Sequence, residues 1–382
     1  MKTHFSFIYY LLMPFLLLVS NNEITAQQKK SDDTLPSWAL GKFVRPNITK
    51  PIISPDTATL FYCPMQNQSV KWEKMDTFNP AAIAKGNKII VLYRAEDASG
   101  QGIGKRTSRI GYAESRDGIK MKRSKTPVLF PDVDGFEELE WPGGCEDPRV
   151  AMTEDGLYVM LYTAWNRKTA RLAVATSRDL KNWEKHGLAF EKAYDGRFKN
   201  LFCKSASILT SIKKDKIVIE KFDGKYFMYW GERAVHAATS VDLINWEPVL
   251  DDKNNLLVLA RPRAKHFDSD MTECGPPALL TNKGIVLMYN GRNSTNNNST
   301  DPNYPKGAYC AGQLLFDAKD PYKLIGRLDE PFFYPEAEYE KSGQYARGTV
   351  FIQGLAFLKN KLYLYYGCAD SQIGVAICDY EP

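Results

Sequence analysis

The sequence is poor in the residues that build metal centres and disulfide frameworks. It has only 4 His and 7 Cys among 382 residues. The Cys are scattered and no Cys-x-x-Cys pair occurs, which disfavours both a zinc site and a disulfide scaffold. We interpret most of the cysteines as small apolar core residues. We also predict that the protein uses no metal ion and no other cofactor.

Dense runs of basic residues are absent. The chain balances 50 Lys and Arg against 45 Asp and Glu, for a net charge of +5. That charge is too small to indicate a nucleic-acid partner. The mildly basic stretches 109–125 and 261–265 are interpreted as solvated surface.

Long apolar runs are absent beyond the N-terminus. There, Lys2 is followed by "FSFIYYLLMPFLLLVS", and the small residue Ala26 lies near a plausible cleavage point. This order is typical of a secretory signal peptide, and the run is short for a membrane span and contains Pro14. We predict a signal peptide at residues 1–26, a secreted or periplasmic protein and no stable membrane insertion. A membrane anchor is the alternative.

One short sequence recurs three times. The copies are "AESRDGIKMKR", "ATSRDLKNWEK" and "ATSVDLINWEP", which contain Ser115, Ser177 and Ser240. Each copy follows a strand-like apolar run, and two further apolar runs occur downstream. We find no convincing amphipathic helix after residue 26. Five such antiparallel units predict an all-β protein with a five-bladed β-propeller over residues 75–382. Residues 27–74 are then an N-terminal extension packing on the propeller; a tandem β-sandwich is the alternative fold.

Propeller geometry brings one set of polar residues together. The first strand of a blade begins at the face where its antiparallel second strand ends. The first-strand starts are Asn79, Asp147, Lys204, Glu273 and Gly354. The second-strand ends are Arg94, Trp165, Glu232, Asn290 and Asp370. We therefore expect a pocket rich in carboxylates, with Arg94, Arg149 and Lys204 among them.

Such a pocket suits the cleavage of glycosidic bonds. This chemistry needs one carboxylic acid for the leaving oxygen and one carboxylate to activate water. Gathered carboxylates raise one another's pKa, so we expect one member to be protonated at neutral pH. Each acid also has a plain structural interpretation. Asp147 can pair with Arg149, Glu232 can pair with Arg233, and Glu273 and Asp370 can be ordinary turn residues.

Several strings together resemble glycoside hydrolase family 130. They are "GGCEDPRV", "NPAAI" with "YRAED", and "YYGCAD". The resemblance implies a five-bladed β-propeller and single-displacement, inverting chemistry on β-mannosides. It further implies that Asp147 donates its proton through a sugar hydroxyl and that Asn79, Arg94 and Asp370 hold the terminal mannose. Lys204 lies where the family also has a Lys.

The resemblance leaves hydrolysis and phosphorolysis to be distinguished. Phosphorylases of the family usually have a His-Arg at the end of the third blade's second strand, where this chain reads "YWGERA" with Glu232; "TECGPP" adds Glu273. A carboxylate repels phosphate but suits a water-activating base. We predict an exported inverting β-1,2-mannosidase acting on β-mannoside oligosaccharides. A β-mannoside phosphorylase, with phosphate on Arg167 and Lys204, and a non-catalytic sugar-binding propeller are the alternatives.

The prediction assigns two groups of site residues. The catalytic residues are Asp147, Glu232 and Glu273. The substrate-binding residues are Asn79, Arg94, Arg149, Lys204 and Asp370.

Overall fold

The structure is a computed structural model that describes residues 35–382. The predicted signal peptide and residues 27–34 of the predicted extension lie outside this range. The described residues are all-β, and their helical elements are a single turn, α1 (Glu137–Glu140), and one 3-10 turn (Glu338–Glu340). None of their helices has the length and apolarity that crossing a membrane requires.

The strands form consecutive antiparallel meanders after a short hairpin of β1 (Phe61–Cys63) and β2 (Gln68–Val70). The first meander contains β3 (Asp76–Lys85), β4 (Lys88–Glu96), β5 (Ser108–Ser115) and β6 (Lys122–Arg123). The second contains β7 (Gly144–Met152), β8 (Tyr158–Trp165), β9 (Ala170–Ser177) and β10 (Glu184–Leu188).

The later meanders repeat the plan with local additions. The third contains β11 (Ala206–Lys213), the short β12 (Lys216–Ile219) and β13 (Lys221–Phe222), then β14 (Lys225–Trp230), β15 (His236–Ser240) and β16 (Trp246–Pro248). The fourth contains β17 (Met271–Cys274), β18 (Ala278–Thr281), β19 (Gly284–Arg292), β20 (Tyr309–Phe316) and β21 (Leu324–Arg327). The fifth contains β22 (Val350–Leu358), β23 (Lys361–Cys368) and β24 (Gln372–Asp379).

The recurring Ser-x-Asp sequence is the turn between the third and fourth strands of a meander. In the second copy the Ser177 hydroxyl accepts the N–H groups of Asp179 and Leu180 at 3.1 and 2.9 Å. The Asp179 carboxylate accepts the next two N–H groups, both at 2.8 Å. The Trp183 indole then donates to the carbonyl of Leu180 at 3.2 Å. The motif therefore satisfies a tight turn with its own side chains.

The first strands of several meanders share a bulge near their start. Pro cannot donate to a β ladder, so its presence in a strand requires an edge or a bulge, and a bulge redirects the side chains around it. In the fourth meander the chain instead breaks between β17 and β18 at Gly275–Pro277. The register shifts lie between Phe78 and Pro80, between Glu146 and Arg149, and between Ile352 and Gly354.

The hydrophobic core lies between successive meanders rather than at one centre. Each of its clusters joins two neighbours, and the last cluster joins the fifth meander to the first, so the packing among residues 35–382 is cyclic. Each cluster has members from both neighbours, for example Leu92 and Met160, Val159 and Met228, Phe227 and Leu287, Met288 and Leu364, and Tyr365 and Val91. All seven cysteines are buried and unpaired, which confirms their interpretation as core residues.

Residues 35–56, the N-terminal segment, run along the fifth meander. Val44 and Ile53 form antiparallel bridges with Ile377 and Ile373 of β24. Leu40 exchanges two hydrogen bonds with the side chain of Gln313, at 2.8 and 2.9 Å. The outer edge of β24 is thus covered by the beginning of the described chain.

Candidate active site

Asp147 occupies the bulge of β7 in a left-handed backbone conformation, with φ of 49°. A residue before proline is normally extended, and positive φ is uncommon outside glycine, so this conformation is strained. The conformation turns the side chain out of the ladder. The buried Asp147 carboxylate accepts hydrogen bonds from Asn79 Nδ2 at 2.8 Å and from Arg94 Nη1 at 3.2 Å. Asn79 has the same left-handed conformation, with φ of 46°.

Arg94 is the centre of a buried ion cluster. Its Nη2 lies 2.6 Å from Glu96 Oε1 and 2.7 Å from Glu146 Oε1. Its Nε donates to the Ser108 hydroxyl at 3.1 Å, and its guanidinium lies 4.6 Å from the centre of the Phe78 ring. Each nitrogen of the guanidinium therefore has at least one partner, which fixes its orientation. We call Arg94 with Asn79, Glu96, Glu146 and Asp147 the Arg94 cluster.

The two adjacent carboxyl groups of this cluster differ in pKa. Burial acts to raise the pKa of Asp147, but the charges of Arg94 and Lys204 and the Asn79 hydrogen bond outweigh it and lower that pKa to about 2. In Glu146 burial outweighs the same two cations and raises the pKa to about 6. The protonated member expected from the sequence is therefore not Asp147.

Asp370 follows β23 in a left-handed turn with φ of 51°. Burial raises its pKa to about 7; Arg94 opposes this shift, and the negative charge of Asp147 adds to it. The Gln344 side chain holds the turn by donating to the main-chain oxygen of Asp370 at 2.9 Å. With a pKa of about 7, this carboxyl group changes between its protonated and ionised forms close to neutral pH. The charges of Arg94 and Asp147 both act on it.

Glu232 and Glu273 form a second acidic group, the glutamate pair. Glu273 is buried at the end of β17 and accepts a hydrogen bond from the Ser205 hydroxyl. Burial, followed by the charge of Glu232, raises the pKa of Glu273 to about 7 despite the opposing charge of Arg149. Glu232 is partly exposed and follows Gly231 after β14. A carboxyl group whose pKa is raised by burial and by a neighbouring carboxylate is typical of acid–base sites.

Lys204 acts electrostatically on both acidic groups. Its Nζ lies 3.8 Å from Glu146 Oε2, and its side chain is 24% exposed. Burial acts to lower its pKa, but Glu146 and Asp147, with a smaller contribution from Glu232, raise it. The Lys204 ammonium therefore stays charged, and its side chain is partly accessible to solvent.

Arg149 contacts main chain rather than a carboxylate. Its Nε and Nη2 donate to the carbonyls of Gly275 and Cys274 at 3.0 and 2.9 Å, and Nη1 donates to that of Asp147 at 3.3 Å. It ties the second meander to the fourth beside Glu273. A direct contact of Arg149 with substrate stays a prediction.

Two other strand-end residues serve the fold. Asn290 makes two hydrogen bonds with the main chain of Ile352, at 2.7 and 3.0 Å. The Trp165 indole donates to the carbonyl of Gly104 at 3.0 Å. Both side chains are therefore engaged by the backbone around the pocket.

The structure brings most of the predicted site residues into one electrostatic network. The Arg94 cluster and the glutamate pair are joined by Lys204, with Asp370 beside the cluster. Within residues 35–382, no group of three or more His, Cys, Asp or Glu residues could hold a metal ion. Sequence reasoning assigned no role to several buried polar residues around the site, although the strings "YRAE" and "CED" contain two of them. They are Glu96, Ser108, Glu146, Ser205 and Gln353.

Residues 44–381 match the family model Glyco_hydro_130, described as beta-1,4-mannooligosaccharide phosphorylase. The chain belongs to glycoside hydrolase family 130. A 1,2-beta-oligomannan phosphorylase of Thermoanaerobacter sp. (strain X514) is 33% identical over 319 residues, which cover 81% of this chain and 92% of the relative. A beta-1,2-mannobiose phosphorylase of the same organism is 31% identical over 321 residues, with the same coverage of 81% and 92%.

Solved structures are similar at higher identity. A glycosyl hydrolase from Bacteroides ovatus is 60% identical, with a TM-score of 0.89, and the match covers 91% of this chain and 96% of that one. A second structure, also 60% identical with a TM-score of 0.89, covers 92% of this chain and 99% of its own. It is described in the words "The GH130 family of mannoside phosphorylases contains glycoside hydrolases that target beta-1,2 mannosidic linkages in Candida mannan".

Proposed function

We propose that the protein is an inverting β-1,2-mannosidase that releases mannose from β-1,2-linked mannosides by hydrolysis. The observation that carries this proposal is the glutamate pair. The Cys274 N–H donates to the carbonyl of Gly231 at 3.0 Å, which holds the residues after Glu273 and before Glu232 together, and burial and then the charge of Glu232 raise the pKa of Glu273. A phosphate dianion entering the pocket beside the pair would be repelled at short range in a medium of low dielectric constant, whereas a water molecule needs such a base.

The Arg94 cluster supplies the other half of the reaction. Asp147, fixed by Asn79 and Arg94, delivers the proton to the leaving oxygen through a sugar hydroxyl. Because Asp147 is ionised at neutral pH while it accepts these two hydrogen bonds, the proposal requires its carboxyl group to take up a proton as the sugar hydroxyl displaces them. Arg94, Asn79 and Asp370 hold the terminal mannose, and the charge of Lys204 favours the ionised forms of Glu146, Asp147 and Glu273. In an inverting reaction the acid and the base act from opposite faces of the sugar ring, and in this proposal Asp147 acts from one face and the glutamate pair from the other.

The solved structure 60% identical to this chain supports the proposal, because its description names hydrolases acting on β-1,2 mannosidic linkages. The second candidate is a β-mannoside phosphorylase. Two observations favour it: the curated relatives at 33% and 31% identity are phosphorylases, and Lys204 provides an accessible cation. Neither removes the two carboxylates from the pocket.

We also propose an architecture and a cellular location for the protein. The cyclic packing of the core clusters supports a five-bladed β-propeller over residues 75–382. The bridges of Val44 and Ile53 to β24 support an extension, residues 27–74, that packs on it. The leader at residues 1–26 supports export to the periplasm or the medium, where a sugar phosphate would be hard to recover.

The deciding experiment incubates the purified protein with β-1,2-mannobiose, with and without inorganic phosphate. We expect mannose as the product at the same rate in both, and the α anomer immediately after release when the reaction is followed by NMR. Mannose 1-phosphate as the main product would overturn the proposal. Retention of the β anomer would overturn the inverting assignment alone.

A further inference from the structure

The two glutamates of the pair have different surroundings. Glu273 is buried, accepts the Ser205 hydroxyl, and has its charge favoured by Arg149. Glu232 is partly exposed. Within the part of the chain that the structure describes, its carboxylate has no side-chain hydrogen bond and no ion pair. One carboxylate is therefore fixed, and the other is free to accept a proton from a small molecule in the pocket.

The main chain holds the pair together through one residue. The Gly231 N–H donates to the carbonyl of Ser205 at 2.9 Å, and the Cys274 N–H donates to the carbonyl of Gly231 at 3.0 Å. The residue before Glu232 is thus hydrogen-bonded both to Ser205 and to the residue after Glu273. The position of Glu232 relative to Glu273 depends on residue 205 twice, through its side chain and through its carbonyl.

Ser205 itself has an unusual conformation. Its φ is 61°, so it is a left-handed non-glycine residue immediately before β11. Asn79 and Asp147 share this conformation at the start of β3 and β7. Backbone strain of this kind persists only where the surroundings enforce it, and it is frequent at functional sites. In Asn79 and Asp147 the conformation directs a polar side chain to another side chain of the site, and in Ser205 it directs the hydroxyl to Glu273.

We propose that Ser205 is a positioning residue that divides the roles of the two glutamates. It fixes Glu273 as the carboxyl group that orients the attacking water, and Glu232 is the base. The water oxygen bonds to the anomeric carbon while one water proton passes to Glu232. The glycosidic C–O bond breaks, the leaving oxygen takes the proton of the sugar hydroxyl, and that hydroxyl regains a proton from the Asp147 carboxyl group, which is protonated when the substrate binds. This inference deepens the proposed hydrolysis and depends on it.

Chemical rescue distinguishes the two glutamates. Azide is a nucleophile that needs no base, so it replaces the activated water when only the base is missing. We expect azide to restore turnover in Glu232→Ala, with mannosyl azide as the product, and to leave Glu273→Ala unrestored. Rescue of Glu273→Ala in place of Glu232→Ala would overturn the division of roles.

Variants at residue 205 test the positioning role. Ser205→Ala and Ser205→Gly both remove the hydroxyl, but glycine also relieves the left-handed strain, so an effect shared by both variants belongs to the hydroxyl. We expect kcat to fall about tenfold, the effect of losing one hydrogen bond to a charged group, with KM within about twofold. Because the hydroxyl favours ionised Glu273, its loss should move the neutral inflection of the pH profile upward. A pH profile of Ser205→Gly that coincides with the wild-type profile would overturn the role.

Ser207→Ala is the matched control. Ser207 is also buried on β11, and its hydroxyl donates to the main-chain carbonyl of Gly275 at 3.0 Å instead of to a carboxylate. We expect its pH profile to match that of the wild type. Melting temperatures identify any variant that fails to fold. The azide experiment uses variants of Glu232 and Glu273, so it does not depend on the folding of the variants at residues 205 and 207.

The wild-type assay distinguishes a failure of the proposed hydrolysis from a failure of the division of roles between the two glutamates. Mannose 1-phosphate from the wild type would overturn hydrolysis and this inference with it. Phosphate-independent release of mannose, combined with rescue of Glu273→Ala or with an unchanged Ser205→Gly profile, would overturn the division of roles alone.

Discussion

Glu146 and Asp147 are adjacent in the chain, yet the pKa of one carboxyl group is about 6 and that of the other is about 2. Both are buried and both lie near Arg94 and Lys204. Asp147 also accepts the Asn79 amide, whereas Glu146 shares the Nη2 of Arg94 with Glu96. Glu146 has a hydrogen bond of its own, from the Ser108 hydroxyl at 3.2 Å. At this scale, the balance between burial and the charges of two shared cations decides which of two neighbours holds a proton.

The first prediction concerns Asp147→Asn. Asparagine tolerates the left-handed backbone and keeps the shape, so we expect a melting temperature close to that of the wild type. Turnover should fall by about 10²–10⁴-fold, because proton delivery to the leaving oxygen is lost. Steady-state kinetics on β-1,2-mannobiose check it, with the exposed Asp117→Asn as the control. Turnover within threefold of the wild type would show that Asp147 is not the acid.

The second prediction concerns the pH dependence of Asp370→Asn. The pKa of Asp370 is about 7 in the folded protein, above the value of roughly 3.9 expected for an unfolded chain. The cost of the desolvated carboxylate is therefore complete above pH 7 and is relieved as the pH falls through 7 and below. Asparagine carries no charge, so it should raise the melting temperature by about 2 °C more at pH 8 than at pH 5. Scanning calorimetry at both pH values measures this, and equal shifts would contradict it.

Among the elements, the Ser-x-Asp turns and the bulges have separate tasks. The turns connect third to fourth strands, remote from the bulges at the starts of the first strands. The turns use side chains to satisfy backbone N–H groups, and the bulges use backbone geometry to direct side chains. We therefore expect changes in the turns to affect stability and changes in the bulges to affect activity.

The third prediction follows for the turn after β15. Asp242 accepts the N–H groups of Ile244 and Asn245 at 2.9 and 2.7 Å. Asp242→Ala leaves both donors without this partner and should lower the free energy of unfolding by about 1 kcal/mol, with turnover unchanged. Urea denaturation measures the loss, and the exposed Asp252→Ala is the control. A stability equal to that of the control would contradict the role of the turn.

These elements also show how far the sequence could be interpreted. The alternation of apolar and polar residues and the repeated turn predict the strands, because both signals are local. Antiparallel pairing of those strands then predicts that Asn79, Asp147 and Asp370 lie close together. The sequence does not predict that Glu146 joins the Arg94 cluster, since adjacent side chains of a regular strand point to opposite faces, whereas Glu146 and Asp147 lie at a bulge and both contact Arg94. Nor does it predict that Arg149 donates to main chain, because the break between β17 and β18 that exposes those carbonyls is a tertiary feature.

At the scale of the whole molecule, the N-terminal segment is held by charge as well as by strand pairing. Arg45 Nε lies 2.7 Å from Glu340 Oε1, and its guanidinium lies 4.0 Å from the centre of the Phe333 ring. Glu340 is fully buried and also accepts the Tyr366 hydroxyl at 2.8 Å. This contact therefore fastens the segment to the turn before β22 and to β23.

The fourth prediction concerns this contact. Arg45→Met removes the cation and leaves the Glu340 carboxylate buried without an ionic partner, which should cost about 3 kcal/mol. Adding Glu340→Gln removes the buried charge and should recover most of the loss. Chemical denaturation of both variants measures it. A double variant no more stable than Arg45→Met would show that the charge pair is not the cause.

The bridges of Val44 and Ile53 to β24 also set the order in which the molecule can be completed. A ribosome makes β24 after all the other described strands, so the N-terminal segment has no pairing partner until β24 has been made. Until then the core cluster between the fifth and first meanders lacks Ile373 and Val375, and an edge and an apolar surface stay open to proteases and to other chains. A chain that ends before residue 373 therefore cannot complete the packing between the fifth and first meanders.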